Sequence, residues 1–430
     1  MNEAILAIFQ QAYQDLDLFP LIEPEDIEKF RVDYGHEVLV RLRQEVNAST
    51  KAQKFIFAGH RGCGKSTLLK RFTVEMQPKH FTVFFSIADL LEPSAVTHRN
   101  ILYAIALKLL SAATQQRIPV ADDIKQSLLG WMTTTRKQTA EQGTSSEVGL
   151  GVDNLLQMAT LSFQKEQAFR DEIERVFEKN VADLVAKADR IAAAIETTTK
   201  KPVLVVIDDL DKLDLALVES IYLNNIKVLF SPGFRIVFTI PVSAVQEPKV
   251  MGALMSEGIV RPQLFAVAKF FGKQDVRNPQ AEPIAKTVDL FLKVLTKRIS
   301  ADCIEPDTAR QMVLKSGGVM RELVRIAREC CTECMVQLEL EPDRTDLKIN
   351  DEILTLALRN LRNDFARQIG TDLFPVLVQV YQTLKSKDTD GDAFVKLLHG
   401  LMVLEYQNDE LWYDVHPIVV DLLRREGLIK

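Results

Sequence analysis

Residues 59–66 read Gly-His-Arg-Gly-Cys-Gly-Lys-Ser, an unbroken G-x-x-x-x-G-K-S. The apolar run Phe55-Ile56-Phe57-Ala58 precedes it, and a helical pattern over Ser66–Phe72 follows. A strand that turns through glycines into a helix N-terminus gathers backbone N–H groups around one point. Glycine is needed wherever a Cβ would fill that space. The helix dipole presents its positive end at the same place. The pattern therefore predicts a phosphate cradle made of Gly59, His60, Arg61, Gly62, Cys63, Gly64, Lys65, Ser66 and Thr67. In such a cradle the lysine, Lys65, reaches the outer phosphates and the serine, Ser66, offers its hydroxyl to Mg²⁺. A loop of this kind sits at the end of a parallel strand, so further strands should follow.

They do. Phe81–Ile87, Val203–Ile207, Phe234–Ile240 and Leu264–Ala268 are short apolar runs separated by helical patterns, the alternation of a parallel α/β sheet. Val203–Ile207 ends in Asp208-Asp209. An acid delivered at the C-terminal end of a buried strand suits a Mg²⁺ shell, which makes Asp208 the metal-side carboxylate. Asp209 is placed to orient or deprotonate an attacking water, or else to cap the helix start at Leu210. Thr239, near the end of Phe234–Ile240, either hydrogen-bonds the water or γ-phosphate or is an ordinary β-branched strand residue.

Elsewhere the chain is largely helical. Residues 1–50 carry helix-like spacing broken by Pro20 and Pro24, and Ile101–Leu110 reads as a buried helix. Thr133–Gly151 loses all periodicity and reads as a loop. One long amphipathic helix is expected from Phe169 to Ile195, packed in the core or paired as a coiled coil. Helices are expected again over Thr287–Ser300, Pro306–Ser316, Met320–Leu338 and Asp351–Ile369. The tail reads helix, helix, a hairpin of Leu401–Tyr406 and Leu411–Val415 around Gln407-Asn408-Asp409-Glu410, then helix.

A chain 47% hydrophobic is too apolar for disorder. Its net charge of −6 argues against nonspecific coating of nucleic acid or anionic membrane. No apolar run approaches the roughly 20 residues a membrane helix needs, and Met1–Pro20 lacks the basic start of a secretory signal. Five cysteines make no disulfide scaffold, and Cys330, Cys331 and Cys334 have no second donor pair at zinc spacing. The expectation is a soluble, cytoplasmic protein with reduced cysteines.

The order of phosphate loop, Asp-Asp strand, polar residue on the next strand and helical region resembles the AAA+ and STAND branches of P-loop ATPases. The resemblance covers roughly residues 30–340. It implies ATP with Mg²⁺ as the bound nucleotide and ATP/ADP exchange at the loop. It makes Thr239 similar to a sensor-1 residue. Ser316-Gly-Gly-Val-Met-Arg321 resembles the start of an initiator-type lid helix, which implies Arg321 as sensor 2; the residues alone also allow a solvated basic face of Arg321, Arg325 and Arg328. Arg261 is the candidate for an arginine finger supplied in trans, or a surface arginine. Asp-Asp in place of the usual AAA+ Asp-Glu is closer to STAND switches and implies slow turnover.

The resemblance implies an α/β three-layer P-loop NTPase core with a parallel sheet, a helical lid and a C-terminal winged-helix-like domain. The expected organisation is an N-terminal helical segment at 1–50, a core at 51–275 with a helical insertion at 114–199, a lid at 276–350 and the winged-helix-like domain at 351–430. Its implied role is a nucleotide-gated assembly or signalling switch that self-associates and works with a protein partner or effector, in a setting such as bacterial antiviral defence. Two alternatives stand beside it: a DNA-associated initiator or loader ATPase, and a scaffold with a structural nucleotide. Residues 381–430 hold six Lys/Arg against nine Asp/Glu, and Ala393–His399 offers only Lys396, which disfavours DNA as the partner.

Overall fold

Val203–Asp208 is the most deeply buried strand of the fold. In the computed structural model, which describes residues 2–129, 152–178, 180–344, 346–386, 391–407 and 410–430, all six of its residues are inaccessible to solvent or nearly so. A strand buried on both faces reads as a continuous Val/Leu/Ile run, not an alternating one, and Val-Leu-Val-Val-Ile does. Five strands form one sheet: β1 (Lys54–Gly59), β2 (Phe81–Ser86), β3 (Val203–Asp208), β4 (Arg235–Pro241) and β5 (Gln263–Phe265). Their spatial order is β2-β3-β4-β1-β5. β3 runs parallel to both neighbours, with Phe81 opposite Val203, Ser86 opposite Asp208, and Ile207 opposite Phe238. The expected α/β class with a parallel sheet is the class observed. The fifth strand is shorter than the run Leu264–Ala268 suggested.

The described residues divide into two compact units. One comprises residues 37–58 and 69–263. Its helical part centres on His98–Gln115, eleven of whose residues are buried. That helix packs against Val181–Thr199 and Gln167–Phe177. Tyr103 meets Phe163 and Phe169 with ring centroids at 5.2 and 6.2 Å. The single helix expected from Phe169 to Ile195 is two helices, which break after Phe177. Asn180 precedes the second with φ −138°, a conformation outside the helical region that a poor helix former adopts readily. Its apolar stripe is used within the unit: Leu184, Ala188, Ile191 and Ile195 are all buried. The loop expected over Thr133–Gly151 lies outside the described residues.

The other unit comprises residues 1–36, 59–68 and 264–430. Here Met320–Leu340 packs against Asn2–Asp15 and Asp351–Gln368. Cys330, Cys331 and Cys334 lie on its buried face as free thiols. Burial pushes the Cys331 thiol up to about 12, so it stays a neutral packing group. The tail keeps the expected order: helices Phe374–Thr383 and Gly391–His399, strands β6 (Val403–Gln407) and β7 (Leu411–Val415), then helix Pro417–Arg425. β6 and β7 are antiparallel with Tyr406 opposite Trp412, and these rings stack at 4.5 Å. Residues 408 and 409 of the expected turn lie outside the described residues. No helix among the described residues is long and apolar enough to cross a membrane.

Candidate functional site

The phosphate loop follows β1 directly, and its glycines are required by geometry. Gly62 and Gly64 have φ +79° and +95°, a left-handed region that side chains rarely enter. Gly64 borders open space, so its backbone angle alone selects glycine. At Gly62 a Cβ would also stand 2.7 Å from Arg321 Cβ, and at Gly59 it would stand 2.7 Å from the Phe265 carbonyl. Cys63 is buried, as is Lys65. The Lys65 ammonium donates to the carbonyls of Gly59 (2.9 Å) and His60 (2.6 Å), folding the side chain back over its own loop. Ser66 and Thr67 lie in the first turn of the helix Lys65–Met76. Thr67 Oγ1 accepts the backbone N–H of Leu21, which ties the N-terminal segment to that turn.

The start of the helix Met320–Leu340 meets this loop. Gly317 and Gly318 both have positive φ, and Gly318 lies against the Ala268 carbonyl, so the chain turns sharply into Met320–Leu340. The turn delivers the Arg321 N–H onto the Gly62 carbonyl at 2.9 Å. Arg325 and Arg328, which share a helix face with it, do other work. Arg325 pairs with Glu322 and Asp364, and Arg328 lies 4.0 Å above the Tyr13 ring. Apart from the Arg325–Glu322 pair within the helix, these are contacts to neighbouring helices, and of the three arginines Arg321 is the one at the phosphate loop. Burial raises the carboxyl of Glu322 above its ordinary range, partly offset by Arg325.

The acidic half belongs to the unit containing β2, β3 and β4. Asp208, Asp209 and Asp211 are buried and each offers a carboxylate oxygen within 4.8 Å of the others. This is the one group of three candidate metal donors among the described residues. Carboxylate oxygens are what a hard cation such as Mg²⁺ selects. Asp209 sits at φ +68°, an energetically costly angle for a residue with a side chain, though one that Asp tolerates better than most. Its side chain makes no helix-cap hydrogen bond. Instead it accepts from Ser86 Oγ at 2.7 Å and pairs with Lys212 at 2.5 Å.

Thr239 explains how that turn is held. Its hydroxyl donates to the Ile207 carbonyl (3.3 Å) and accepts the Leu210 N–H (3.0 Å), one bond on each side of the Asp208-Asp209 pair. The Thr239 carbonyl accepts from the Tyr222 hydroxyl at 3.0 Å. The residue is fully buried. Arg261 is exposed in the segment just before β5.

Ser86, Asp211 and Lys212 were not anticipated from sequence. Asp211 and Lys212 follow the Asp-Asp pair and carry a readable signal in their charge. Ser86 becomes visible only through the β2–β3 register. His60, Arg61 and His399 also come together: Glu405 N–H donates to His60 Nε2 at 2.9 Å, and Arg61 lies 3.2 Å from His399 Nε2.

Residues 39–240 match the KAP family P-loop domain. No curated protein matches the chain in sequence. Among solved structures, the Walker-type ATPase PABY2304 of Pyrococcus abyssi is similar at 14% identity and TM-score 0.41, covering 95% of this chain and 99% of that one. The Aeropyrum pernix Orc1 protein, solved in complex with DNA, is similar at 12% identity and TM-score 0.40, with 97% of each chain covered. Cdc6p of Pyrobaculum aerophilum is similar at 13% identity and TM-score 0.36, covering 94% of this chain and 99% of that one. The glycine loop after β1 and the acid at the end of β3 both fall inside the residues that match the KAP family P-loop domain, so the part of the chain that carries the candidate site is similar to that domain.

Proposed function

We propose that this chain binds ATP with Mg²⁺ and hydrolyses it slowly, as a nucleotide-gated switch. The observation that carries this reading is the left-handed pair Gly62 and Gly64 within an intact G-x-x-x-x-G-K-S, inside a P-loop domain match. Lys65 and the loop N–H groups take the phosphates, and Ser66 gives its hydroxyl to the metal. Asp208 is the metal-side carboxylate. Mg²⁺ would supply charge neutralisation on the phosphate oxygens. Asp209 orients the attacking water, Thr239 fixes the turn that carries both acids, and Arg321 acts from the lid side. Slow turnover is supported by Asp209 itself, whose carboxylate already accepts from Ser86 and pairs with Lys212.

A protein partner is favoured over DNA. The helix Gly391–His399 turns Phe394, Leu397 and Leu398 into the core of its own unit. Beyond His399 it carries Lys396 as its one basic side chain, too little for phosphate neutralisation along a duplex.

The test is Asp209→Asn. It is expected to bind Mg·ATP as the wild type does and to release phosphate at least about 100-fold more slowly, the scale on which a general base contributes. Filter-bound ATP and released phosphate are followed in the same reaction. Equal release rates in the two proteins would remove Asp209 from the chemistry.

A further inference from the structure

In a G-x-x-x-x-G-K-S loop the phosphate-facing backbone leaves the x positions to be chosen by their neighbours. Here residues 60, 61 and 62 each meet a segment from the C-terminal part of the chain. His60 is buried, and its Nε2 accepts the N–H of Glu405 on β6, a residue as deeply buried as His60 itself. Arg61 approaches His399, the last residue of the helix Gly391–His399. A guanidinium only donates, so His399 Nε2 is the acceptor. The Gly62 carbonyl takes the Arg321 N–H. β6 is secured in turn by the Tyr406 hydroxyl, which donates to the Gly317 carbonyl at 2.7 Å.

Residue 60 is thus gripped from two ends. Its imidazole is held by β6, and its carbonyl is held by the Lys65 ammonium. Burial, with the Lys65 charge second, pushes the His60 imidazole down to about 3, so the ring is neutral and Nε2 remains an acceptor. The proton then sits on Nδ1, which has no hydrogen-bond partner among the described residues. A buried donor without an acceptor opposes the closed arrangement, which keeps the grip weak enough to be undone.

We propose that His60 and Arg61 form a latch through which the phosphate loop holds the C-terminal hairpin, and that nucleotide phosphates open it by drawing Lys65 off the His60 carbonyl. The latch rests on the nucleotide-binding reading above and adds to it the element that moves. Two of the three Lys65 N–H donors serve the Gly59 and His60 carbonyls, and the phosphates compete for them. When it turns to the phosphates, the bond from Lys65 to the His60 carbonyl is given up, and the hold on residue 60 shifts to the bond between Glu405 N–H and the ring. Coupling of this kind is reciprocal: a nucleotide that loosens β6 is itself bound less tightly while β6 stays closed.

The experiment is hydrogen–deuterium exchange on the full chain over Met402–Gln407, with and without saturating Mg·ATP, beside calorimetric titration of the same samples. Mg·ATP is expected to speed exchange at the Glu405 amide about tenfold or more in the wild type. His60→Ala is expected to show that fast exchange before nucleotide is added and to bind Mg·ATP roughly 5- to 50-fold tighter, the usual span of a coupling between two sites. His399→Ala removes the acceptor for Arg61, leaves the His60–Glu405 bond in place, and should shift both readouts in the same direction by less. It also serves if His60→Ala fails to fold. Saturable binding with unchanged or slower exchange over β6 would overturn the latch and leave the nucleotide reading intact. A flat titration of the wild type would overturn both, and the calorimeter separates the two outcomes.

Discussion

Lys65→Ala is expected to lose at least about 100-fold in Mg·ATP affinity while keeping its fold. The side chain is buried, yet its ammonium rests on two carbonyls of its own loop, Gly59 and His60. Removing it from the protein alone costs those two hydrogen bonds and leaves two carbonyl oxygens short of a donor. Removing it from the nucleotide complex costs charge-assisted bonds to phosphate oxygens, each worth about 1.5–3 kcal/mol. Two such bonds correspond to about 3–6 kcal/mol, or two to four decades in Kd at about 1.4 kcal/mol per decade. The loop backbone does not depend on the lysine, because Gly62 and Gly64 set its course. Calorimetric titration of wild type and variant, with circular dichroism to establish folding, reads the difference. A variant that is folded and binds within threefold of wild type would remove Lys65 from the phosphate site.

Gly318→Ala is the second large effect, and it concerns the turn that presents Arg321. Gly318 has φ +83°, and a Cβ there would stand 1.7 Å from the Ala268 carbonyl oxygen and 3.2 Å from Val267 Cγ1. The first neighbour is backbone and cannot swing aside. The left-handed angle alone costs a side chain roughly 1–2 kcal/mol. Forced repacking adds about 1–3 kcal/mol, so a total on the order of 2–5 kcal/mol is expected. Gly258→Ala is the matched comparison, since Gly258 has φ +87° with nothing within 4 Å of its built Cβ. It should lose only the conformational part. Thermal unfolding of the two variants against wild type gives the ranking: a drop on the order of 10 °C for Gly318→Ala and a few degrees for Gly258→Ala. Equal drops would mean that the close approach to Ala268 does not exist.

The phosphate loop was legible in the sequence because its chemistry lies in the main chain. A cradle of N–H groups admits only glycine where φ turns positive, so Gly62 and Gly64 declare the geometry before any coordinates exist. The end of β3 was legible for a similar reason: a doubly buried strand must be uniformly apolar, and Asp208 and Asp209 stand out at its exit. The tail hairpin was legible because two short runs rich in apolar and aromatic residues flank the polar stretch Gln407-Asn408-Asp409-Glu410 in the sequence.

Contacts made by side chains across long sequence distances left no mark. His60 and Glu405 are far apart in the chain, and the bond is to the main chain of residue 405, which any residue but proline supplies. Ser86 meets Asp209 only because the β2–β3 register sets Ser86 opposite Asp208. Thr239 stood out as a polar residue near the end of an apolar strand, while its partners on the neighbouring strand left no mark in the sequence. Its hydroxyl is engaged by Ile207 and Leu210, which makes it the brace of the acidic turn. The helix break after Phe177 was hidden because the apolar stripe continues across it in near-register, while one Asn outside helical angles interrupts the backbone.

Phosphate release in a single turnover, with the wild-type chain in excess over γ-labelled ATP and Mg²⁺ present, tests the central claim most directly. The expected result is conversion of the bound ATP to ADP and phosphate at a slow, single-exponential rate, abolished when Mg²⁺ is chelated. ATP that is bound and recovered intact after many hours would contradict hydrolysis and leave this P-loop domain a scaffold around a structural nucleotide.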